Sequence, residues 1–183
     1  MDKRTEANYK VRRQITDALF SLMHEKNFAD ITVTEIIRRA GVARVSYYRN
    51  FSSKEKVLTG LIDDVLQRFR GGEDYAAIQF MSLEHVKKAF TYFKEYGRYI
   101  LDLYRSEFSN ILLDELNKFH EAVAGYMPAK SAEKYTVYMY MGAMFNTAIK
   151  WLEAGAEDSI EEISAVFCRN VGIQSDGKQR LTE

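Results

Sequence analysis

Residues 31–51, with the sequence ITVTEIIRRAGVARVSYYRNF, decide the fold of this chain. The stretch predicts two short helices joined by a tight turn at residues 41–43, Gly-Val-Ala. Thr32 and Glu35 have the spacing of a capping box, in which each side chain accepts from the other residue's backbone N–H, so the first helix begins there. Gly41 can adopt a positive φ and ends this helix. The pattern predicts a helix-turn-helix, whose second helix can enter a DNA major groove.

The second predicted helix carries hydrogen-bonding side chains on its outer face. Val42, Tyr47 and Phe51 fall at spacings suited to packing on the first helix. The remaining positions, which can donate to base edges or phosphates, are Arg44, Ser46, Tyr48, Arg49 and Asn50. Taken alone, such a face is equally typical of a solvated surface, so the flanking sequence has to distinguish the two interpretations.

Amphipathic helices flank the motif on both sides. Upstream, one apolar face repeats at three- and four-residue spacing and consists of Val11, Ile15, Ala18, Leu19, Leu22 and Met23. Downstream, Ser52-Ser53-Lys54-Glu55 predicts a helix start, and an apolar stripe continues to Phe69. We therefore expect a three-helix DNA-binding domain in residues 1–53, with a fourth helix at 54–70 linking it to the rest.

These segments together resemble the TetR/AcrR type of bacterial transcriptional regulators. The resemblance covers roughly residues 8–68 and is carried by TVTEII at 32–37, AGVAR at 40–44 and YYRNFSSKEKV at 47–57. It implies a sequence-specific DNA-binding transcriptional regulator, a repressor, that binds a palindromic operator as a homodimer. It also implies a response to a small-molecule effector.

The resemblance also implies which side chains touch DNA. The positions that resemble phosphate contacts are Thr32, Thr34, Tyr48 and Lys54. The positions that usually face the groove are Arg44, Val45, Ser46, Arg49 and Asn50. Tyr47 stands where the family mostly has an aliphatic or Phe side chain, which favours packing over base contact. Val45 departs from the usual Gly or Ala, and either touches a thymine methyl or holds the helix further from the groove.

Charge is distributed unevenly along a chain whose formal net charge is zero. Residues 1–70 hold 14 Lys and Arg against 9 Asp and Glu, and the remaining residues hold 12 against 17. A basic amino-terminal module favours binding to a polyanion. Basic residues near the start of the chain that add to this charge are Lys3, Arg4, Lys10, Arg12 and Arg13.

Composition predicts a cytoplasmic protein. The single Cys168 excludes an internal disulfide framework, and it stands among apolar residues where a small buried thiol is the usual outcome. The sequence shows no apolar stretch of membrane-spanning length and no amino-terminal signal region. We therefore expect no membrane association.

Residues 71–183 predict a larger helical domain for effector binding and dimerisation. The segment Arg70-Gly-Gly-Glu-Asp breaks the fourth helix, and Ser82 and Ser159 are candidate helix caps. Gly97, Gly125 and Pro128 are candidate helix ends. Since no strand pattern competes, the sequence predicts an all-α fold of about nine helices.

A long predicted helix, from about residue 132 to 154, is apolar on more than one face. This favours pairing of the last two helices with their copies in a second chain; a central helix buried within a monomer is the alternative. The candidate interface residues are Tyr135, Met139, Gly142, Phe145, Ile149, Ile163 and Phe167. The segments at 151–155 and 159–163 are similar to the carboxy-terminal domain of regulators related to the dihydroxyacetone kinase operon activator.

The many aromatic and Met residues of the middle helices suit an apolar effector pocket, although core packing explains them equally well. The polar candidates for fixing an effector are Arg98, Tyr99, Arg105, His120 and Asn146. Catalysis is disfavoured, and no metal or cofactor is expected, because His24, His85 and His120 are isolated in the sequence and no Gly-rich phosphate loop is present. An alternative function is a coactivator whose carboxy-terminal helices bind another protein.

Overall fold

The computed structural model describes residues 3–71, 79–123, 132 and 134–173. These residues form nine α-helices, one short 3₁₀-helix at Phe28–Asp30 and no strand, which confirms the predicted all-α class. The α-helices are α1 (Lys3–Met23), α2 (Val33–Ala40), α3 (Arg44–Asn50), α4 (Lys54–Arg70), α5 (Leu83–Glu95), α6 (Gly97–Arg105), α7 (Ser109–Val123), α8 (Lys134–Glu153) and α9 (Ile160–Val171). The predicted helix ends at Gly125 and Pro128 lie outside the described residues.

Local capping chemistry fixes the helix-turn-helix as predicted. The backbone N–H of Glu35 donates to Thr32 Oγ1 at 3.3 Å, and the backbone N–H of Thr32 donates to Glu35 Oε2 at 2.9 Å. Hydrogen bonds from Lys26 and Thr32 lower the pKa of Glu35 to about 2, so the capping carboxylate stays ionised. Gly41 ends α2 in the left-handed conformation, with φ of 64°. The candidate cap Ser159 likewise opens α9, where it forms a capping box with Glu162.

The described residues group into two compact units, Met1–Asp64 and Val65–Glu183, which divide within α4. In the first unit α1 packs on α2 and α3. The largest fully buried side chains of this unit are Ile15, Leu19, Phe20, Ile31, Ile36, Tyr47 and Leu58. The end of the DNA-binding domain at residue 53 and the end of the linking helix at residue 70 stay predictions, because they divide the chain by function and not by packing.

Arg12 ties three helices of the first unit together. Its guanidinium donates to both carboxylate oxygens of Asp64 on α4, at 2.8 and 2.9 Å, and lies 4.5 Å above the ring of Phe51. It also donates to the carbonyl oxygens of Asn50, the last residue of α3, at 3.5 Å and of Gly60 at 3.4 Å. Arg12 is thus a structural residue of this unit, whereas the sequence analysis counted it only with the basic charges.

In the second unit α8 is the central helix, and it packs against α5, α6, α7 and α9, while α5 also packs on α9. Gly97 was predicted to end a helix, but it begins α6 instead. A Cβ atom at this position would lie 2.8 Å from Leu152 Cδ2, so glycine permits the close approach of α6 and α8. Within the described residues no helix has the length and hydropathy that a membrane span requires.

We predict that Arg12→Lys lowers the free energy of unfolding by about 1–3 kcal/mol, because an ammonium cannot form the paired contacts of the guanidinium with Asp64. Chemical denaturation followed by circular dichroism measures the change. Lys10→Gln on the exposed side of α1 is the control and leaves the unfolding midpoint unchanged. Equal unfolding midpoints for Arg12→Lys and the wild type would show that the paired contact between Arg12 and Asp64 does not stabilise this unit.

Candidate functional site

The outer face of α3 is exposed and carries several of the predicted groove residues. Val45 and Tyr48 are 64% and 48% exposed, so this face presents one apolar and one aromatic side chain to solvent. Arg44 and Arg49 are exposed beside them, and Ser46 is half-buried. Tyr47 points the other way into the core, as the packing interpretation predicted. Burial raises the pKa of Tyr47 to about 12.

Two contacts within α3 shape this face. A guanidinium N–H of Arg44 donates to the Tyr48 hydroxyl at 3.5 Å, and the guanidinium lies 5.5 Å from the centre of the Tyr48 ring. The side-chain amide of Asn50 donates to the carbonyl oxygen of Ser46 at 2.8 Å, which leaves only part of its hydrogen-bonding capacity for a base. Arg44 and Tyr48 therefore form one joint polar surface.

The predicted contacts before and after α3 differ in their availability. Thr34 is exposed at the start of α2, whereas Thr32 uses its hydroxyl within the capping box, where it donates to Glu35 Oε2 at 2.8 Å. The structure gives Lys54 a different role from the expected phosphate contact. Its ammonium donates to the carbonyl oxygens of Phe28, Ala29 and Ile31 at 2.6, 3.0 and 2.8 Å. These bonds occupy all three donors of an ammonium, so Lys54 anchors the segment before α2.

Several other cations of the first unit are neutralised inside it. Arg12 pairs with Asp64, Lys26 pairs with Glu35 at 2.7 Å, and Arg39 forms a fork with Glu25 at 2.8 Å to each oxygen. Among the described residues no ion pair engages Arg38, Arg44 or Arg49. The arginines of the α3 face thus keep their full charge for an external anion.

The five residues expected to fix an effector differ in their burial. Arg98, Arg105 and Asn146 are exposed, whereas Tyr99 is buried. The guanidinium of Arg98 lies 4.7 Å from the centre of the Tyr99 ring. His120 alone is deeply buried with polar atoms directed into the second unit. Their role in holding an effector stays a prediction.

A buried aromatic cluster was missed by the sequence analysis. His85 on α5 and His120 on α7 have ring centres 5.5 Å apart and are surrounded by the rings of Phe69, Phe80, Phe119 and Tyr140. Burial lowers the pKa of both histidines, that of His85 to about 3, so both rings are neutral. His85 was set aside as isolated because its partners come from other helices.

The expected interface residues divide into an exposed group and a buried group. Tyr135 and Met139 are exposed on α8, and Gly142 and Ile163 are half-buried. Phe145, Ile149 and Phe167 belong instead to the core of the single chain, so their assignment to an interface is corrected. The long helix has too many neighbours within its own unit for all its apolar faces to remain available. Its exposed stripe is Tyr135, Tyr138, Met139 and Ala143, with Val166 exposed on α9.

Residues 15–61 match the family model described as bacterial regulatory proteins, tetR family. This range begins in α1, contains α2 and α3 and ends in α4, so it includes the described helix-turn-helix. Over these residues the chain is similar to the TetR family. The resemblance inferred from the sequence is thereby confirmed for this TetR-type domain.

Two curated relatives each match a short part of the chain. The HTH-type transcriptional regulator EthR of Mycolicibacterium smegmatis is 42% identical over 55 residues, which are 30% of this chain and 25% of that protein. An uncharacterized HTH-type transcriptional regulator of Haemophilus influenzae is 38% identical over 56 residues, which are 30% of this chain and 27% of that protein. The matched part thus spans about a quarter of the length of these relatives.

Solved structures extend the similarity in fold beyond the TetR-type domain. A putative TetR-family transcriptional regulator from Syntrophomonas wolfei has a TM-score of 0.64 at 16% identity and covers 96% of this chain and 100% of its own. A TetR transcriptional regulator from Streptococcus agalactiae has a TM-score of 0.59 at 21% identity, with 92% and 97% covered. The dihydroxyacetone kinase operon activator DhaS has a TM-score of 0.58 at 14% identity, with 88% and 93% covered. At these identities the similarity establishes the fold alone.

We predict that Lys54→Gln lowers the free energy of unfolding by about 1–3 kcal/mol, because three carbonyl oxygens lose a charged donor. In a DNA-binding assay the variant keeps the salt dependence of the wild type. Loss of a phosphate contact would instead reduce the slope of log K against log salt by about 1. Lys56→Gln, two positions further along α4, is the matched control, since the Lys56 side chain is exposed.

Proposed function

We propose that this chain is a sequence-specific DNA-binding transcriptional regulator whose α3 enters the major groove. The observation that carries the proposal is the outer face of α3, where Arg44, Val45, Tyr48 and Arg49 are exposed together. Arginine forks match guanine edges or phosphate oxygens, a valine methyl suits a thymine methyl, and a tyrosine hydroxyl reaches the sugar-phosphate backbone. The match of residues 15–61 to the TetR family supports the same conclusion.

Charge pairing supports α3 as the contact surface. Arg12, Lys26 and Arg39 are held by carboxylates of their own unit, whereas no described ion pair engages the arginines of α3. An arginine that is already in a fork with a carboxylate has to break that fork before it binds a phosphate. The arginines of α3 have no such ion pair to break, so they supply the electrostatic part of DNA binding.

The chain acts as a homodimer in this proposal, with the exposed stripe of α8 covered by the same stripe of a second copy. Met139 is 74% exposed, and the aromatic rings of Tyr135 and Tyr138 lie beside it. Large apolar side chains grouped on one helix favour an interface, and Gly142 has open space around its Cβ position. A two-fold dimer would present two α3 helices to a palindromic operator.

A small-molecule effector releases the operator in the proposed repressor function, and the protein acts in the cytoplasm. The aromatic cluster around His85 and His120 supports effector binding, because it combines a large apolar surface with buried polar atoms. A protein-binding coactivator remains the second candidate function. The exposed stripe of α8 supports the coactivator function if Met139 is covered by another protein and not by a second copy of this chain.

We predict that Arg44→Ala and Arg49→Ala each weaken binding to the preferred duplex by about 1–3 kcal/mol, which is roughly 5- to 150-fold. The duplex is selected from a random library by the intact wild-type chain, and affinity is measured by fluorescence anisotropy at several salt concentrations. Arg39→Ala is the matched control, because this exposed arginine is held by Glu25 and Ser21. Retained affinity in both α3 variants, or an equal loss in the control, would contradict the proposed face.

We predict that Met139→Glu converts the dimer into a monomer in analytical ultracentrifugation, because it buries a charge at the centre of the interface. DNA binding then requires a higher protein concentration, and a single half-site competes as well as the full palindrome. Ala122→Glu places the same charge on the exposed side of α7 and leaves the dimer intact. The coactivator would be favoured instead if the wild-type chain is a monomer and retains a protein from a cell extract that Met139→Glu does not retain.

A further inference from the structure

The two buried histidines of the second unit each have one ring nitrogen without a partner in the part of the chain that the structure describes. His85 and His120 are 1% and 3% exposed, and their rings meet edge to face with centres 5.5 Å apart. Nε2 of each ring is buried and has no hydrogen-bond partner among the described residues. Buried polar atoms in native proteins are nearly always paired, so two such atoms in one cluster require an explanation.

The hydrogen bond of His120 fixes its tautomer. Its Nδ1 lies 2.8 Å from the carbonyl oxygen of Leu116, which can only accept. Nδ1 therefore carries the proton. Because burial lowers the pKa of His120, the ring is neutral, and its Nε2 presents a lone pair.

His85 has the opposite tautomer. Its Nδ1 lies 3.0 Å from the hydroxyl of Tyr140, and burial raises the pKa of this tyrosine, so the hydroxyl keeps its proton. A phenolic O–H is the stronger donor of the pair and an imidazole nitrogen the stronger acceptor, so Tyr140 donates to Nδ1. In the neutral ring the proton of His85 then resides on Nε2. The cluster thus offers one unpaired donor, on His85, and one unpaired acceptor, on His120.

We propose that this cluster is a binding site for a neutral aromatic alcohol, whose hydroxyl accepts from His85 Nε2–H and donates to His120 Nε2. One hydroxyl group can complete both bonds, because its oxygen accepts through a lone pair and its own proton is donated. The aromatic part packs against Phe80, whose ring lies 5.3 and 5.9 Å from those of His85 and His120. The proposal rests on the effector response proposed above and names the chemistry of that effector.

Other ligand classes fit these atoms less well. A carboxylate can only accept and leaves the lone pair of His120 unpaired, while a hydrocarbon satisfies neither nitrogen. A transition metal would need lone pairs from both histidines and further ligands. The described residues contain no group of three or more His, Cys, Asp or Glu side chains placed to hold a metal ion.

The test measures ligand binding to the intact chain without DNA. Phenol and 2-naphthol are compared with toluene and 2-methylnaphthalene, which match them in shape but lack the hydroxyl, and with benzoate and Zn²⁺. We expect a hydroxyl compound to raise the unfolding temperature and to bind at least tenfold more tightly in calorimetry than its hydroxyl-free match. Equal binding of the matched pair, or stabilisation by benzoate or Zn²⁺ alone, would overturn the proposal.

Variants and nuclear magnetic resonance assign the site to the two rings. His120→Phe and His85→Phe keep an aromatic ring but lose the ligand-induced shift. The free His120→Phe protein keeps its thermal stability because an unpaired Nε2 is removed, whereas free His85→Phe is less stable because the buried Tyr140 hydroxyl loses its acceptor. His24→Gln, in the other unit, is the control and keeps the shift. In ¹⁵N spectra of the unsubstituted protein we expect the Nδ1–H tautomer for His120 and the Nε2–H tautomer for His85; the reverse assignment would overturn the proposal even where a variant fails to fold.

These measurements separate this proposal from the proposed function. Loss of all hydroxyl-compound binding in a chain that still binds its selected duplex would overturn only the ligand site. Binding of 2-naphthol that depends on both histidines, in a chain that binds no selected duplex, would support the site and overturn the regulator function.

Discussion

The fork between Arg12 and Asp64 is the interaction on which the geometry of the first unit depends. It joins α1 to α4, and the same guanidinium lies over Phe51 and donates to the last carbonyl of α3. A cation at the end of a helix is favourable because the carbonyl groups there carry partial negative charge. Gly60 permits this contact, since a Cβ atom there would lie 2.8 Å from the Phe51 ring and 3.1 Å from Arg12 Nη2. The end of α3 is therefore held by side chains that lie behind its exposed face.

The arginines of this unit divide by their partners, and this division separates scaffold from surface. Arg12 and Arg39 form two-pronged contacts with carboxylates on other segments, which orders the side chains of both partners. Among the described residues, Arg44 forms no ion pair and contacts the hydroxyl and ring of Tyr48 on its own helix. Counting Lys and Arg along the sequence treats these residues as equal. The structure shows that net charge overstates the charge available to an external anion.

Sequence reasoning succeeded where the deciding interaction is local. The capping boxes at Thr32 and Ser159 and the helix end at Gly41 depend on residues within four positions of one another, so their spacing determines them. It failed where a side chain reaches another segment. Lys54 bonds to carbonyl groups 23–26 positions away, and His85 meets Tyr140 55 positions away. An apolar residue of α8 likewise has no local feature that distinguishes Phe145 in the core from Met139 on the surface.

The buried histidine pair links the interior of the second unit to its proposed interface. Each Nε2 without a partner costs about 1–3 kcal/mol in the folded chain. A bridging hydroxyl removes both costs, and therefore stabilises the second unit fully, only while it bonds to both rings. His85 belongs to α5 and His120 to α7, and displacement of one helix against the other breaks a bond. The ligand therefore binds the arrangement that allows both bonds more tightly than an arrangement that allows one. Such a difference in affinity between two arrangements is what any effector needs. Because α5 packs on α9 and α7 packs on α8, the favoured arrangement also sets the positions of the helices that carry the exposed stripe.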